Sequence, residues 1–452
     1  MNTVDSAALP TEEDRPPDLL EQFLSIFGDV KPGESVTVLL MLVNIFLILA
    51  GYYICKTVRE PLILLSGGAE VKSYSSAGQA LVLMGFIPLY GWFSSKVNRA
   101  RLIFGVTLFF ILNIELFWFG AKAQIPYLGV AFYIWVGIFN NAIIAQFWSY
   151  GNDIYRTDVG ERLFPIIGIG ATLGSPIGAG LAQWLFSTGM ETYTMLHFTA
   201  VILTVSMGIY WLVERRVDRS QNRTGSRKLG RAGGFVLLAK KRYLLLICLL
   251  LILLNLVNTT GQYVLDKYVL ADVARRVSID PSFNKEAFLG AFYGGYNFWG
   301  NILALIIQAL VVSRVVKYLG LAGALLALPL VSLSSYSLVV AGATLALIRL
   351  AKIAENASDY SIMNTARQML WLPTSREEKY KAKQAADTFV VRIGDLFSAG
   401  LIYLGTTFLS FGPQRFAFAN TLFCLLWLGI GVLLLREYRR LAVQREQEAA
   451  SQ

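Results

Sequence analysis

The stretch "GYYICKTVREPLILL", Gly51 to Leu65, decides how this chain folds. Apolar residues run up to Cys55, Lys56, Arg59 and Glu60 interrupt them, and "PLILL" carries the apolar run onward. About 20 apolar residues suffice to cross a bilayer as a helix. An ionised side chain at that depth costs roughly 2.5–3.5 kcal/mol on insertion scales unless it faces a cavity or a partner. The three charges therefore either snorkel from a helix end or face a polar interior. The continued apolar run beyond them favours the interior, and Lys56 and Glu60, four residues apart, share one helix face.

Working outward, the same apolar character fills the chain. Of its 452 residues 55% are apolar and 15% charged. Apolar runs long enough to span recur along the whole length, which predicts an all-α polytopic membrane protein; a barrel would show shorter alternating segments. Twelve spans are expected, at about 36–64, 75–95, 101–121, 127–152, 164–186, 193–213, 243–265, 290–312, 319–339, 342–368, 385–409 and 416–436. The N-terminal segment, 1–35, is acidic and proline-containing rather than a signal peptide; its "DLLEQFLSIFGDV" reads as a short helix lying on the membrane surface.

Between the sixth and seventh spans, Glu214 to Tyr243 holds ten Lys or Arg and two acidic residues. Such a loop stays cytoplasmic. "SSKVNRAR", "SRVVK", "REEKYKAK" and the "REYRR" tail fall on the same side, so both termini are expected inside, in a bacterial plasma membrane. The +10 net charge then reflects basic cytoplasmic loops, with no nucleic-acid partner implied. Two outer connections break the rule: Lys56, Arg59 and Lys72 after span 1, and Lys267, Arg275, Arg276 and Lys285 after span 7. Cations placed against the topological bias are functional candidates.

Six spans, a basic linker at 214–242 and six more spans, 36–213 and 243–438, followed by a tail at 439–452, suggest an internal duplication. Gly51-Tyr52-Tyr53-Ile54 echoes Gly261-Gln262-Tyr263-Val264, and Ser95 to Arg99, "SKVNR", echoes Ser313 to Lys317, "SRVVK", at nearly the same offset. Two parallel halves predict a substrate site between them near the midplane. "GWFSSKVNRAR", Gly91 to Arg101, resembles the loop between helices 2 and 3 of the major facilitator superfamily. Gly91, Lys96, Arg99 and Arg101 match, while Ser95 and Asn98 replace its Asp and Gly. Lys96, Arg99 and Arg101 are thereby gating candidates, and Asp387 is a fourth.

Further polar groups lie at membrane depth. Helix 3 carries Asn113 and Glu115, and helix 4 carries Asn140, Asn141 and Gln146 and ends in Asn152 and Asp153, gate partners or caps. In "LIRLAKIAENASDYSIMNTARQ", Arg349, Lys352, Asn356, Asp359, Tyr360 and Arg367 fall on one side at helical spacing. That stripe lines water or a polar ligand, or is satisfied by neighbouring helices. Lys379, Lys381 and Lys383 precede a helix with Asp387, Arg392 and Asp395, the last two a candidate pair. The cation cluster Lys56, Arg59, Arg349, Lys352, Lys383 and Arg392 suggests an anionic small-molecule substrate, with Glu60 tuning or pairing it. Gly170, Gly174 and Gly178 recur every four residues; with no preceding strand they read as close helix packing and not as a nucleotide loop. Cys55, Cys248, Cys424 and His197 show no metal or disulfide spacing, and no cofactor is expected.

At these residues the chain resembles the ATP/ADP translocase family of plastids and intracellular bacteria. "KTVREPLIL" is similar to that family's helix 1 segment, with Arg59 and Glu60 at its Lys-Asp pair. "FWSYGNDIY…ERLFPIIGIGA", Phe147 to Ala171, "DYSIMNTARQMLWLP" and "EEKYKAKQAAD" resemble three further segments. Arg367 stands at a family lysine, and Lys379, Lys381, Lys383 and Asp387 match. The chain departs at Asn258, where the family places Glu, at Asp395 and Asp359, where Lys is usual, at Arg59 for Lys, and at Ala382 for Gly. The resemblance implies a major facilitator fold, commonly monomeric, that exchanges nucleotides, with basic residues on the phosphates and Asn258 among the substrate-binding positions. A proton-coupled carrier using Glu60, Glu115, Asp359 and Asp395 is the alternative, and a receptor binding lipid heads through its basic loop is a third. An enzyme is not expected, since the chain has no metal site, nucleophile–base set or cofactor motif.

Overall fold

The computed structural model describes residues 18–27, 29–94, 96–97, 99–216, 238, 241–375 and 378–450. Most of the basic linker (217–237 and 239–240), the first seventeen residues, Ser95, Asn98, and the side chains of Arg99 and Lys379 lie outside the described set. A short α1, Leu19–Ser25, leads into α2, Ser35–Ser94. Then come α3, Arg99–Lys122, α4, Leu128–Ile154, α5, Thr157–Ser187, and α6, Leu196–Arg216. After the linker follow α7, Arg242–Ile279, α8, Lys285–Ile306, α9, Val312–Val340, α10, Leu345–Ser358, α11, Asn364–Met369, α12, Val391–Thr407, and α13, Pro413–Ala450. Among the described residues there is no strand, and nine helical stretches are long and apolar enough to cross a membrane.

Two of the nine are double-length and turn at a glycine. The 60-residue α2 breaks at Gly68, with φ 74°, and the stretch Lys285–Val340 breaks at Gly320, with φ 61°. That backbone region is open to glycine at no steric cost. Residues 65–74, expected as an outer loop, are instead helical and carry Lys72 inward. α7 likewise outruns its expected end at 265 by a further 14 residues, to Ile279. Beyond the apolar run the helix is held by Asp272, which pairs with Arg275 at 2.5 Å and Arg276 at 2.8 Å, three and four residues on. Asn284 caps the next helix by accepting from the Ala287 N–H at 3.0 Å.

Two apolar cores form, one from α1–α6 and one mainly from α7–α13. Ile63, Leu64, Ala69 and Tyr133 of the first half join the second core. The Gly170, Gly174 and Gly178 ladder lies against α2: a Cβ at these positions would sit 2.2, 2.4 and 2.4 Å from the carbonyl oxygens of Leu42, Phe46 and Ala50. Only a hydrogen fits between those backbones, so the glycine spacing is a packing device. α5 meets α8 across the halves as closely, since a Cβ on Gly290 would lie 2.2 Å from the Phe186 ring.

The surface-helix expectation lands on α1. Glu21 closes its start by accepting the Asp18 N–H at 2.8 Å, and its other oxygen takes the Gly33 N–H at 2.9 Å. Leu24 is buried, whereas Leu19, Phe23 and Ile26 are exposed. Arg162 of α5 ties this segment down through Glu34 at 2.9 Å.

Candidate functional site

A cavity of about 320 Å³ lies where the halves meet, within the usual range for small-ligand sites. The first half contributes Lys56, Arg59, Glu60, Lys72, Gln79 and Tyr133, and the second contributes Asn258, Tyr293, Asn356, Tyr360, Arg392 and Asp395. The charged island in α2 thus faces inward. Its polarity is tolerable because the Gly68 break lets both arms of α2 line one cavity.

The charges are not evenly matched. Glu60 sits between Arg59, at 3.1 Å, and Lys72, at 2.5 Å, and not with Lys56. Lys72 also straddles Asp266 of α7, at 2.8 Å, with all three side chains at most 7% exposed. Asp266 further accepts from Tyr293 at 2.5 Å and Gln262 at 2.9 Å. Arg392 reaches Asp395 only at 3.5 Å, and its Nε is buried without a hydrogen-bond partner. Asp395 also accepts from Thr259 at 3.1 Å. Among the described residues no carboxylate pairs with Lys56; its ammonium lies 4.8 Å from the Tyr53 ring and 5.9 Å from that of Tyr360. Arg59 stacks over Tyr133 at 4.5 Å. Aromatic faces stabilise cations without cancelling their charge.

At one end of the cavity the halves are bonded together. Beside Lys72–Asp266, Glu70 takes Lys267 at 2.9 Å and the Tyr263 hydroxyl at 2.8 Å, and Thr192 donates to Glu286 at 2.5 Å. Nearer the middle, Tyr53 donates to Asn301 at 3.1 Å. The echoed tyrosines of the sequence, Tyr53 and Tyr263, therefore both reach across to the opposite half.

Six of the twelve substrate-binding candidates line the cavity: Lys56, Arg59, Glu60, Asn258, Asn356 and Arg392. The others lie elsewhere. Lys352 is buried within the second half, bound to Glu355 at 2.9 Å beside Tyr336. Arg349 covers Phe292 with its guanidinium 4.7 Å from the ring, against Gly295 and Gln183 at the α5–α8 crossing. Lys383 donates to Gln368 at 2.5 Å. Asp359 opens a π-helical turn, Asp359–Met363. Asn152 is exposed and lines a different cavity with Tyr155 and Glu161, and Asp153 is exposed beside it. Of the gating candidates, Lys96 covers the Trp92 ring at 3.9 Å, Arg101 is exposed, and Asp387 takes Arg367 at 3.0 Å.

The expected stripe on α10 divides along its length. Asn356 and Tyr360 line the cavity, while Lys352, one turn earlier, is buried against Glu355 and Tyr336. The π turn that follows shifts later side chains by one residue's rotation. Sequence reading missed Asp266, Tyr293, Tyr133 and Gln79. Lys72 was flagged only as a cation against the topological bias, which was a usable signal; Asp266 sat beyond an apparent helix end and gave none.

The comparisons with known proteins agree with this architecture. A family model described as "TLC ATP/ADP transporter" matches residues 127–438. This chain belongs to that family. The "ADP,ATP carrier protein 1" of Chlamydia trachomatis is 21% identical over 504 positions, covering 94% of this chain and 93% of that one. The protein of the same name from Chlamydia pneumoniae is 22% identical, covering 71% of this chain and 70% of that one. Among solved structures, the POT family transporter PepTSo superposes with TM-score 0.65 at 12% identity, over 90% of this chain and 98% of that one. A bacterial homologue of ferroportin in an inward-facing state gives 0.65 at 15%, over 88% and 98%. The nucleoside transporter NupG gives 0.59 at 13%, over 90% and 98%. The fold is that of the major facilitator superfamily, and the TLC-family chain is an integral membrane transporter.

Proposed function

We propose that this TLC-family chain is a monomeric secondary carrier of a bacterial plasma membrane, with both termini cytoplasmic, that exchanges nucleotides or related phosphorylated anions by alternating access. One observation carries the reading: the cavity between the halves is lined by cations from both, Lys56, Arg59 and Lys72 from α2 and Arg392 from α12. An anion bound there is held by both halves, so its binding energy can couple to their rocking. The names of the chlamydial relatives support nucleotides as the cargo. Counting each double-length helix as two passes and α10–α11 as one brings the nine apolar stretches to twelve passes. The bonded end of the cavity is then the outer end, where Lys72, Asp266, Glu70 and Lys267 act as gate residues.

The test is uptake of labelled ADP into proteoliposomes of the purified carrier. Vesicles preloaded with unlabelled nucleotide are expected to take up label, and empty vesicles to take up little. No uptake of any phosphorylated anion, from protein that elutes as a folded species, would refute the reading.

A further inference from the structure

We propose that the cavity selects for low substrate charge: it takes an anion bearing a single phosphoryl group, clamped between Lys56 of the first half and Arg392 of the second, in preference to di- and triphosphates. The proposal rests on the transport reading above and narrows its substrate class. Four cations line the cavity, Lys56, Arg59, Lys72 and Arg392, and three carboxylates contact them, Glu60, Asp266 and Asp395. One positive charge is left over, and it resides on Lys56.

Two charged groups from opposite halves offer unused donors to a ligand. Lys56 has only aromatic faces near its ammonium, and the buried Arg392 Nε has no hydrogen-bond partner. They come from opposite halves, so one phosphoryl group bridging them draws the halves together. Arg59 and Lys72 are paired with the buried carboxylates Glu60 and Asp266, so their charges are already balanced, and drawing Lys72 away would strand Asp266. A phosphate monoester carries about two negative charges near neutral pH, which brings the site close to balance. Each further phosphoryl group adds charge for which the cavity holds no spare cation.

The remainder of the substrate meets neutral groups. Gln79 lies against Gly137 with its Oε1 buried and unbonded, an acceptor for a hydroxyl or exocyclic amine. Tyr360, 47% exposed and beside Lys56, offers a ring on which a base can stack. This is the chemistry of a nucleoside monophosphate.

The experiment is competition against labelled ADP exchange in magnesium-free proteoliposomes, with unlabelled AMP, ADP and ATP as inhibitors. AMP is expected to inhibit at a concentration about tenfold or more below ATP, the ratio that 1.4 kcal/mol produces. ATP inhibiting at or below the AMP concentration overturns the proposal while leaving the carrier reading intact; failure of ADP exchange itself overturns the carrier reading. Asp395→Asn supplies a second readout, because it adds one positive charge without removing a donor. It is expected to shift the ADP-to-AMP preference toward ADP by about tenfold, and an unchanged ratio in a variant that still exchanges counts against charge selection. The wild-type inhibitor order decides the matter if that variant does not fold.

Discussion

Lys72→Met tests the proposed outer gate most directly. Lys72 is 2.5 Å from Glu60 and 2.8 Å from Asp266, with 6%, 7% and 2% side-chain exposure respectively. Removing it leaves Glu60 with Arg59, but leaves Asp266 with only neutral donors, Gln262 and Tyr293. Stranding a buried charge costs about 3–5 kcal/mol. The cost falls on the state in which the halves are bonded here, since opening the gate rehydrates Asp266. Alternating states differ by a few kcal/mol, so about 4 kcal/mol, roughly a thousandfold in population, turns the closed gate from majority to minority. The assay is pulsed electron spin resonance between labels at Tyr127, 81% exposed in the α3–α4 connection, and Ser282, exposed in the α7–α8 connection. Lys72→Met is expected to move the distance distribution to longer values. Lys72→Met/Asp266→Asn, with no stranded charge, is expected to return most of it. An unaltered distribution in the single variant, or a double variant as open as the single, would refute the gate.

The remaining predictions concern other parts of the molecule. Lys56→Ala is expected to abolish ADP exchange, whereas Lys383→Ala, whose ammonium sits on Gln368 away from the cavity, keeps the half-saturating ADP concentration within about twofold; equal losses would show the cavity to be misassigned. Gly174→Ala places a Cβ 2.4 Å from the Phe46 carbonyl oxygen and is expected to cost about 1–3 kcal/mol. An unchanged thermal unfolding midpoint in detergent would show that α2 and α5 are not so close. Lys352→Met strands Glu355, 4% exposed, at about 3–5 kcal/mol, and Lys352→Met/Glu355→Leu is expected to recover most of that; a double variant no more stable than the single would contradict the buried pair.

Much of the fold was legible because membrane insertion is a strict filter. Every backbone group at bilayer depth must be bonded within the protein, by a helix or a closed barrel, and long apolar runs without strand alternation mean helices. The glycine ladder of α5 was legible for the same local reason: four-residue spacing puts three glycines on one face. Helix ends were less legible. The run from Leu65 to Tyr74 reads as a loop because Gly67, Gly68, Glu70 and Lys72 lower its hydropathy, yet it stays helical because its polar groups find partners across the bundle.

The sequence by itself determined a helical membrane protein and, through the resemblance of four segments, its family; it also raised the expectation of an anion site drawn from Lys56, Arg59, Arg349, Lys352, Lys383 and Arg392. Composition, motif and spacing within a helix are local properties. Which cations are free for a substrate was decided only by the tertiary structure. The partner that commits Lys72 is Asp266, 194 residues away in the opposite half. Charge matching across such separations depends on how the two halves pack, and periodicity along the chain carries no information about it.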